Sequence, residues 1–272
     1  MVTVQILLTN DDGIQSSGIA VLRRALEGLG DVTTIAPDRN TSAVARGITI
    51  ERPLHLASAE FGDGFEALAC DGTPSDCVRI GLLGVRCPTP DLVVSGVNLG
   101  ANMGADVSYS GTVGAAFEAA VRGLPALAFS VESQTPDWLA ESEPVLRALV
   151  EHVIARGLPR HSMLNVNFPD RPLAEIRAIR PARLGGASCH DRVSLSREDA
   201  EPAAPSGPGP SAAAVAYFVP CDHPSAGEWA DTDFDVVAQG CVSVTPLRYD
   251  LLDTDLLREL ASWELDLDRL RA

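Results

Sequence analysis

Apolar positions along the chain fall into two alternating patterns. Short, nearly unbroken apolar runs occur at Val4-Gln5-Ile6-Leu7-Leu8, Val32-Thr33-Thr34-Ile35-Ala36, Leu92-Val93-Val94-Ser95-Gly96, Pro125 to Val131 and Leu164-Asn165-Val166-Asn167. Runs of this length read as strands buried on both faces, as in a parallel sheet. Helical spacing lies between them. Gly18 to Leu29 carries Ile19, Leu22, Ala25, Leu26 and Leu29 on one face and stops at Gly30. Thr73 opens a second helix that runs to about Leu83; it suits the N-cap, and Pro74 suits the first helical position. Thr112 to Arg122 and Glu143 to Arg156 read as two more helices, and Ile48–Ile50 and Ala67–Ala69 as edge pieces. Strand and helix in alternation predict an α/β fold with a doubly wound, mostly parallel sheet.

The pattern changes near Arg180. Residues 200–214 are a Pro/Ala/Gly/Ser stretch that reads as a loop or linker. Ala216 to Val219 and Cys241 to Val244 look like strands, and Asp253 to Leu270 is an acidic amphipathic segment broken near Ser262. These features divide the chain into a catalytic core, 1–180, and a region 181–272 of extended loop or hairpin, returning strand and C-terminal helix that is not an independent domain.

Composition narrows the function. Of 272 residues, 46% are hydrophobic, enough for a substantial core. The formal net charge of −16 argues against a nucleic-acid polymer or an anionic membrane as the main partner. A bound cation can invert the local field, so an anionic small-molecule substrate stays open. Every permanently basic side chain is Arg; without Lys there is no P-loop and no lysine Schiff-base chemistry. The six cysteines show no metal-ligand spacing and fit small core residues of a reduced, cytoplasmic protein. The chain enters its first strand with no signal-like segment, and no apolar run is long enough to span a bilayer.

Three loops that follow strands carry the candidate chemistry. The first holds Asn10, Asp11 and Asp12; the second Asp38, Asn40 and Ser42; the third Ser95, Asn98 and Asn102. Asp-Asp-Gly is also ordinary turn chemistry. Parallel strands, however, deliver all three loops to one sheet edge. Adjacent carboxylates repel, and burial sharpens the repulsion. A hard divalent cation with oxygen ligands would relieve it, whereas zinc would call for His or Cys. The third loop leads into Tyr109-Ser110-Gly111-Thr112, where small residues open a helix. The unpaired N–H groups of such a helix start, with its dipole, favour phosphate; the alternative is a simple Ser N-cap on a close-packed helix. The five histidines, His55, His152, His161, His190 and His223, fall outside these loops and read as structural or surface residues.

Six segments together resemble the SurE (survival protein E) family of metal-dependent nucleotidases. They are Ile6 to Gly13; Ala36 to Ser42; Gly72 to Val78; Pro90 to Asn98; Gly100 to Gly104 with Tyr109 to Val113; and Gly240 to Leu247. The resemblance implies a Rossmann-like core with a C-terminal extension for oligomerisation, as a homodimer or homotetramer. It implies magnesium or manganese held by Asp11, Asp12, Ser42 and Asn98. It also implies phosphate contacts at Asn102, Ser110, Gly111 and Thr112, and Asn10 is read as a phosphate-binding residue with them. The implied activity is hydrolysis of nucleoside monophosphates, as a 5′-nucleotidase with 3′-nucleotidase and exopolyphosphatase activity as extensions. Two departures stand out. Ala43 follows Ser42 where the family commonly has Gly, so a local backbone adjustment is expected. The stretch from Arg180 to Cys221 matches poorly.

The mechanism these residues suggest is metal-assisted hydrolysis of a phosphomonoester, with Asp11 and Asp12 as catalytic residues as well as ligands. An aspartate-nucleophile phosphatase of the haloacid dehalogenase type needs Asp-x-Asp, and the residue two beyond Asp11 is Gly13. A nucleotide-binding or sensing protein on the same fold, without turnover, is the non-enzymatic alternative.

Overall fold

The computed structural model describes residues 3–60, 64–85, 87–186, 230–260 and 262–263, with short strands at 190–191, 194–195, 217–218 and 221–222. The loop expected at 200–214, the strand ends at Ala216 and Val219, and the chain beyond Trp263 lie outside these residues, as do Cys189 and His223.

Nine strands make the main sheet: β1 (Gln5–Thr9), β2 (Asp31–Pro37), β3 (Leu56–Glu60), β4 (Glu66–Cys70), β5 (Leu92–Leu99), β6 (Ala126–Val131), β7 (Ser162–Phe168), β8 (Ile179–Pro181) and β9 (Val242–Arg248). Their order is β3-β4-β2-β1-β5-β6-β7-β9-β8. From β4 through β7 every neighbour pair is parallel. Strand β3 runs antiparallel at one edge, and β9 inserts antiparallel against β7 with the short β8 parallel to it. The chain first winds outward from β1 through β2 to β4, then restarts at β5 and winds the other way. The order therefore reverses between β1 and β5, and such a switch point opens a crevice at the carboxyl ends of the strands.

Alternation along the strands explains the layers. On one face Ile6, Leu8, Val94, Phe129 and Val166 pack with Ile19 and Leu22 of α1 (Ser17–Ala25) and with Leu146 and Val150 of α4 (Glu143–Arg156). On the other face Leu7, Ile35, Val93 and Ala128 meet Cys77 and Val78 of α2 (Pro74–Leu82) and Val113, Ala115, Ala116 and Ala119 of α3 (Gly111–Val121). The small residues of α3 let it lie close to the sheet. A full capping box starts α2: the Thr73 hydroxyl accepts from the Asp76 N–H, and Asp76 accepts from the Thr73 N–H, both at 3.1 Å.

Three local readings change. Helix α1 ends at Ala25, because Leu26 to Leu29 tighten into turns that close on the Arg24 and Leu26 carbonyls. The edge strand is Leu56–Glu60, a stretch of Ala and Ser with little apolar signal, stabilised by pairing with β4. Ile48–Ile50 forms no strand, and Ile50 is exposed. Among the described residues, His190–Asp191 pairs with Cys221–Asp222 and Ser194–Leu195 with Tyr217–Phe218, both antiparallel, and two further helices, α5 (Asp233–Ala238) and α6 (Thr254–Leu260), follow them.

The start of α1 abuts β5 beside the switch point. A Cβ on Gly18 would come within 1.9 Å of the Val97 carbonyl oxygen, so any side chain there pushes α1 off β5. Gly18→Ala should lower stability by about 1–3 kcal/mol, the range for overpacking a dense interior, read as a lower thermal midpoint.

Candidate active site

The first and third loops meet across the switch point. Asp12 is half-buried, and its Oδ2 accepts the Leu99 N–H at 3.0 Å, so a residue after β1 is tied to the end of β5. Asn98 precedes that contact. Its amide nitrogen donates to the Gly100 carbonyl at 2.7 Å, a bond that does not involve its amide oxygen. Strand β5 has a bulge between Ser95 and Asn98, and a bulge re-aims the residues after it.

The second loop is clipped onto the first. Both the N–H and the hydroxyl of Thr41 donate to the Asp11 carbonyl, at 2.7 and 3.1 Å. Asn40 then bridges the two: its Nδ2 lies 3.4 Å from Asp12 Oδ1, and its Oδ1 accepts from the Ser42 hydroxyl at 2.7 Å. The turn after Ser42 keeps the backbone that glycine would favour. Ala43 sits at φ +60° and Ala45 at φ +53°, so the expected adjustment gives way to a strained alanine in the left-handed region.

Asp11 is almost fully buried against the start of α3, 3% exposed. The Thr112 hydroxyl donates to Asp11 Oδ1. Gly111 is needed for this approach, since a Cβ there would lie 2.8 Å from the Asp11 Cβ. Burial pushes the Asp11 carboxyl up to about 6; bonds from Thr112 pull it down, and the Asp12 charge adds to the rise. Burial also raises Asp12, partly offset by the Leu99 N–H. The positive end of α3 favours charge on Asp11.

The remaining candidates occupy distinct places. Ser110 caps α3, its hydroxyl accepting the Val113 N–H at 3.1 Å. Asn10 is buried beneath the carboxylates; its amide nitrogen donates to the Gly13 carbonyl and to Ser16, while its oxygen has no hydrogen-bond partner. Asn102 is held by its own groups: its N–H donates to Asn167, its side-chain amide to Ser130, and its carbonyl accepts from Asn165 and Asn167. Asn165 and Asn167 were missed as site support; two fully buried amides alternating on one strand were the available signal. Asp233 was missed as well. It accepts the Gly104 and Gly185 N–H groups, both at 2.9 Å, and so fastens the third loop to α5. Of the histidines, His55 contacts Asp71 just after β4, on the outer part of the same sheet edge, while His152 and His161 contact the Ala148 and Ala120 carbonyls.

The donor atoms at this edge are all oxygens. Asp11, Asp12, Ser42 and Asn98 offer oxygen atoms, two of them on carboxylates whose burial disfavours charge without compensation. Among the described residues, no group of three or more His, Cys, Asp or Glu could hold a metal ion. Two carboxylates with neutral oxygens fit a hard divalent cation that retains several waters.

Fold and site together define a doubly wound α/β protein with an acidic oxygen-donor centre at its switch point, facing a helix N-terminus. The family model for survival protein SurE matches residues 6–191. A protein from Methylococcus capsulatus named 5′-nucleotidase SurE is 40% identical over 260 residues, covering 96% of this chain and 97% of its own. One of the same name from Azotobacter vinelandii is 41% identical over 264 residues, covering 97% and 100%. The crystal structure of a SurE protein from Aquifex aeolicus superposes with a TM-score of 0.76 at 35% identity, covering 94% of this chain and 98% of that one. The chain belongs to the SurE family.

The raised Asp11 carboxyl has a signed consequence for the metal-free protein. Its folded-state pKa of about 6 lies above the ordinary 3.8, so the folded chain holds this proton longer than the unfolded one. The stability tied to Asp11 is fully present below about pH 4, is lost as pH rises through about 6, and then levels off. At about 1.4 kcal/mol per pKa unit the loss is on the order of 3 kcal/mol. Denaturant unfolding in EDTA should show this fall in the difference between wild type and Asp11→Asn, and added magnesium or manganese should reduce it.

Proposed function

We propose that the chain is a metal-dependent phosphomonoester hydrolase acting on nucleoside monophosphates, a 5′-nucleotidase with 3′-nucleotidase and exopolyphosphatase activity as extensions. The observation that carries this reading is the Asp11–Asp12 pair, bridged to Leu99 across the switch point and backed by the start of α3. The 5′-nucleotidase names of the relatives from Methylococcus and Azotobacter support the same activity.

Asp11, Asp12, Ser42 and Asn98 would hold the cation, magnesium or manganese. Bound there, it would supply the positive charge that offsets both carboxylates and polarises a phosphoryl oxygen. The substrate phosphate would rest against the Gly111 end of α3, where the helix dipole steadies charge as it develops. Thr112 keeps Asp11 in one orientation. Asp12 has one oxygen engaged by Leu99 and the other only loosely approached by Asn40, and this second oxygen, Oδ1, would orient the attacking water and take its proton. Asn102 with Asn165 and Asn167 shapes the loop that closes this side of the crevice.

Partners follow from surface and charge. No helix among the described residues is long and apolar enough to cross a membrane. Leu252, Leu256 and Leu257 are exposed, which suits contact with a second copy of the chain in a homodimer or homotetramer. Cys70, Cys77, Cys87 and Cys241 are free thiols, which suits the cytoplasm.

Asp12→Asn should lower phosphate release from a nucleoside 5′-monophosphate by at least about 100-fold, the usual contribution of a general base. EDTA should abolish the activity, and magnesium or manganese should restore it. Activity and metal response that both survive Asp12→Asn would overturn the site.

A further inference from the structure

A cavity runs along one side of α3 from its capping residue Ser110 past Gly114 to Phe117. It has a volume of about 170 Å³ and is lined by Arg46, Val107, Ser110, Phe117, Tyr249 and Leu251. Two elements of the candidate site also build it. Ser110, the cap of α3, is part of its wall, so the cavity begins where the helix start ends. The loop that supplies Ser42 also supplies Arg46, and that loop is pinned next to Ser110 by the Ala45 N–H donating to the Tyr109 carbonyl at 2.9 Å. The remaining wall comes from the chain just after β9, where the Tyr249 N–H donates to the His161 carbonyl at 2.9 Å.

The lining has the chemistry of a site for a flat heterocycle. Val107, Phe117 and Leu251 are apolar. Tyr249 adds an aromatic face, and the Arg46 guanidinium lies over its ring, 5.2 Å from the centroid. Planar guanidinium and aromatic groups both stack on nucleobases, and such stacks tolerate every base because each has a π-face. Arg46 also places a positive charge next to a site meant for an anion, in a chain of net charge −16.

We propose that this cavity receives the base of the nucleoside monophosphate whose phosphate rests at the start of α3, with Tyr249 and Arg46 as its specificity-determining residues. The inference rests on the nucleotidase reading and adds where and how the base is held. Recognition by stacking predicts a broad preference across bases and a clear preference for nucleotides over phosphate esters that lack a base.

The test compares a nucleoside 5′-monophosphate with ribose 5-phosphate, which carries the same ester and no base. Both are assayed with the metal-loaded wild type, Tyr249→Ala, Tyr249→Phe and Arg46→Ala. Tyr249→Ala should raise KM for the nucleotide about tenfold, the loss of one base–aromatic stack, with kcat and ribose 5-phosphate turnover unchanged. Tyr249→Phe should keep the wild-type KM, and Arg46→Ala should raise it by a smaller factor. A purely structural role for Tyr249 would move both substrates together, and that result, or no change in either, overturns the proposal. Equal wild-type efficiency on the two esters also overturns it while leaving the phosphatase intact. If neither ester is hydrolysed, the nucleotidase reading fails, and calorimetry with the nucleotide decides the cavity. Binding that weakens about tenfold in Tyr249→Ala supports it, and binding that is absent or unchanged in the variant overturns it.

Discussion

One buried carboxylate organises the site. Asp11 leaves β1 and is pressed against the first turn of α3, with the Thr112 hydroxyl on one oxygen and the Gly111 backbone at its side. Much of the surrounding construction follows from that contact. Gly111 has to lack a Cβ, α3 has to start at this point, and Thr41 has to clip the second loop onto the Asp11 carbonyl. The position opposes charge by burial and favours it through the helix dipole and the Thr112 bonds. Burial dominates, so Asp11 and the nearby Asp12 form a pair whose charge needs a further partner.

The sheet supplies the geometry for that partner. Because the winding reverses between β1 and β5, the loops after both strands diverge from a crevice, and the bond from Leu99 to Asp12 spans it. Support comes from farther along the chain. Asn165 and Asn167 of β7 hold the Asn102 corner, and Asp233 of α5 fastens the Gly104 turn. The C-terminal region thus braces the site through polar contacts, as well as extending the sheet through β9.

The sequence makes part of this plain for physical reasons. Strands buried on both faces announce themselves as apolar runs, and β1, β5 and β6 stand close to where the runs lie. Asp11, Asp12, Ser42 and Asn98 stand out in the sequence as candidates because oxygen-bearing side chains gather in and just beyond the runs that become β1, β2 and β5. Strand β3 was not legible: Leu56 to Glu60 has no apolar run, and its strand character comes from pairing with β4. The pairing of Asp11 with Thr112, 101 residues apart, is likewise a product of the fold. Asn10 and Asn102 are legible as polar loop residues, but not the internal bonds that engage them. Asp233 sits in a short helix outside the six motif segments, and only its burial against two backbone N–H groups reveals its role.

The central claim is that Asp11 and Asp12 are the carboxylates of a metal centre at the switch point. A manganese-soaked crystal, examined by anomalous difference density at the manganese edge, tests it most directly. The account predicts one strong peak about 2.0–2.6 Å from oxygen atoms of Asp11 and Asp12, with Ser42 and Asn98 alongside. No peak at this edge, or a strong peak on other residues with this crevice empty, would contradict it.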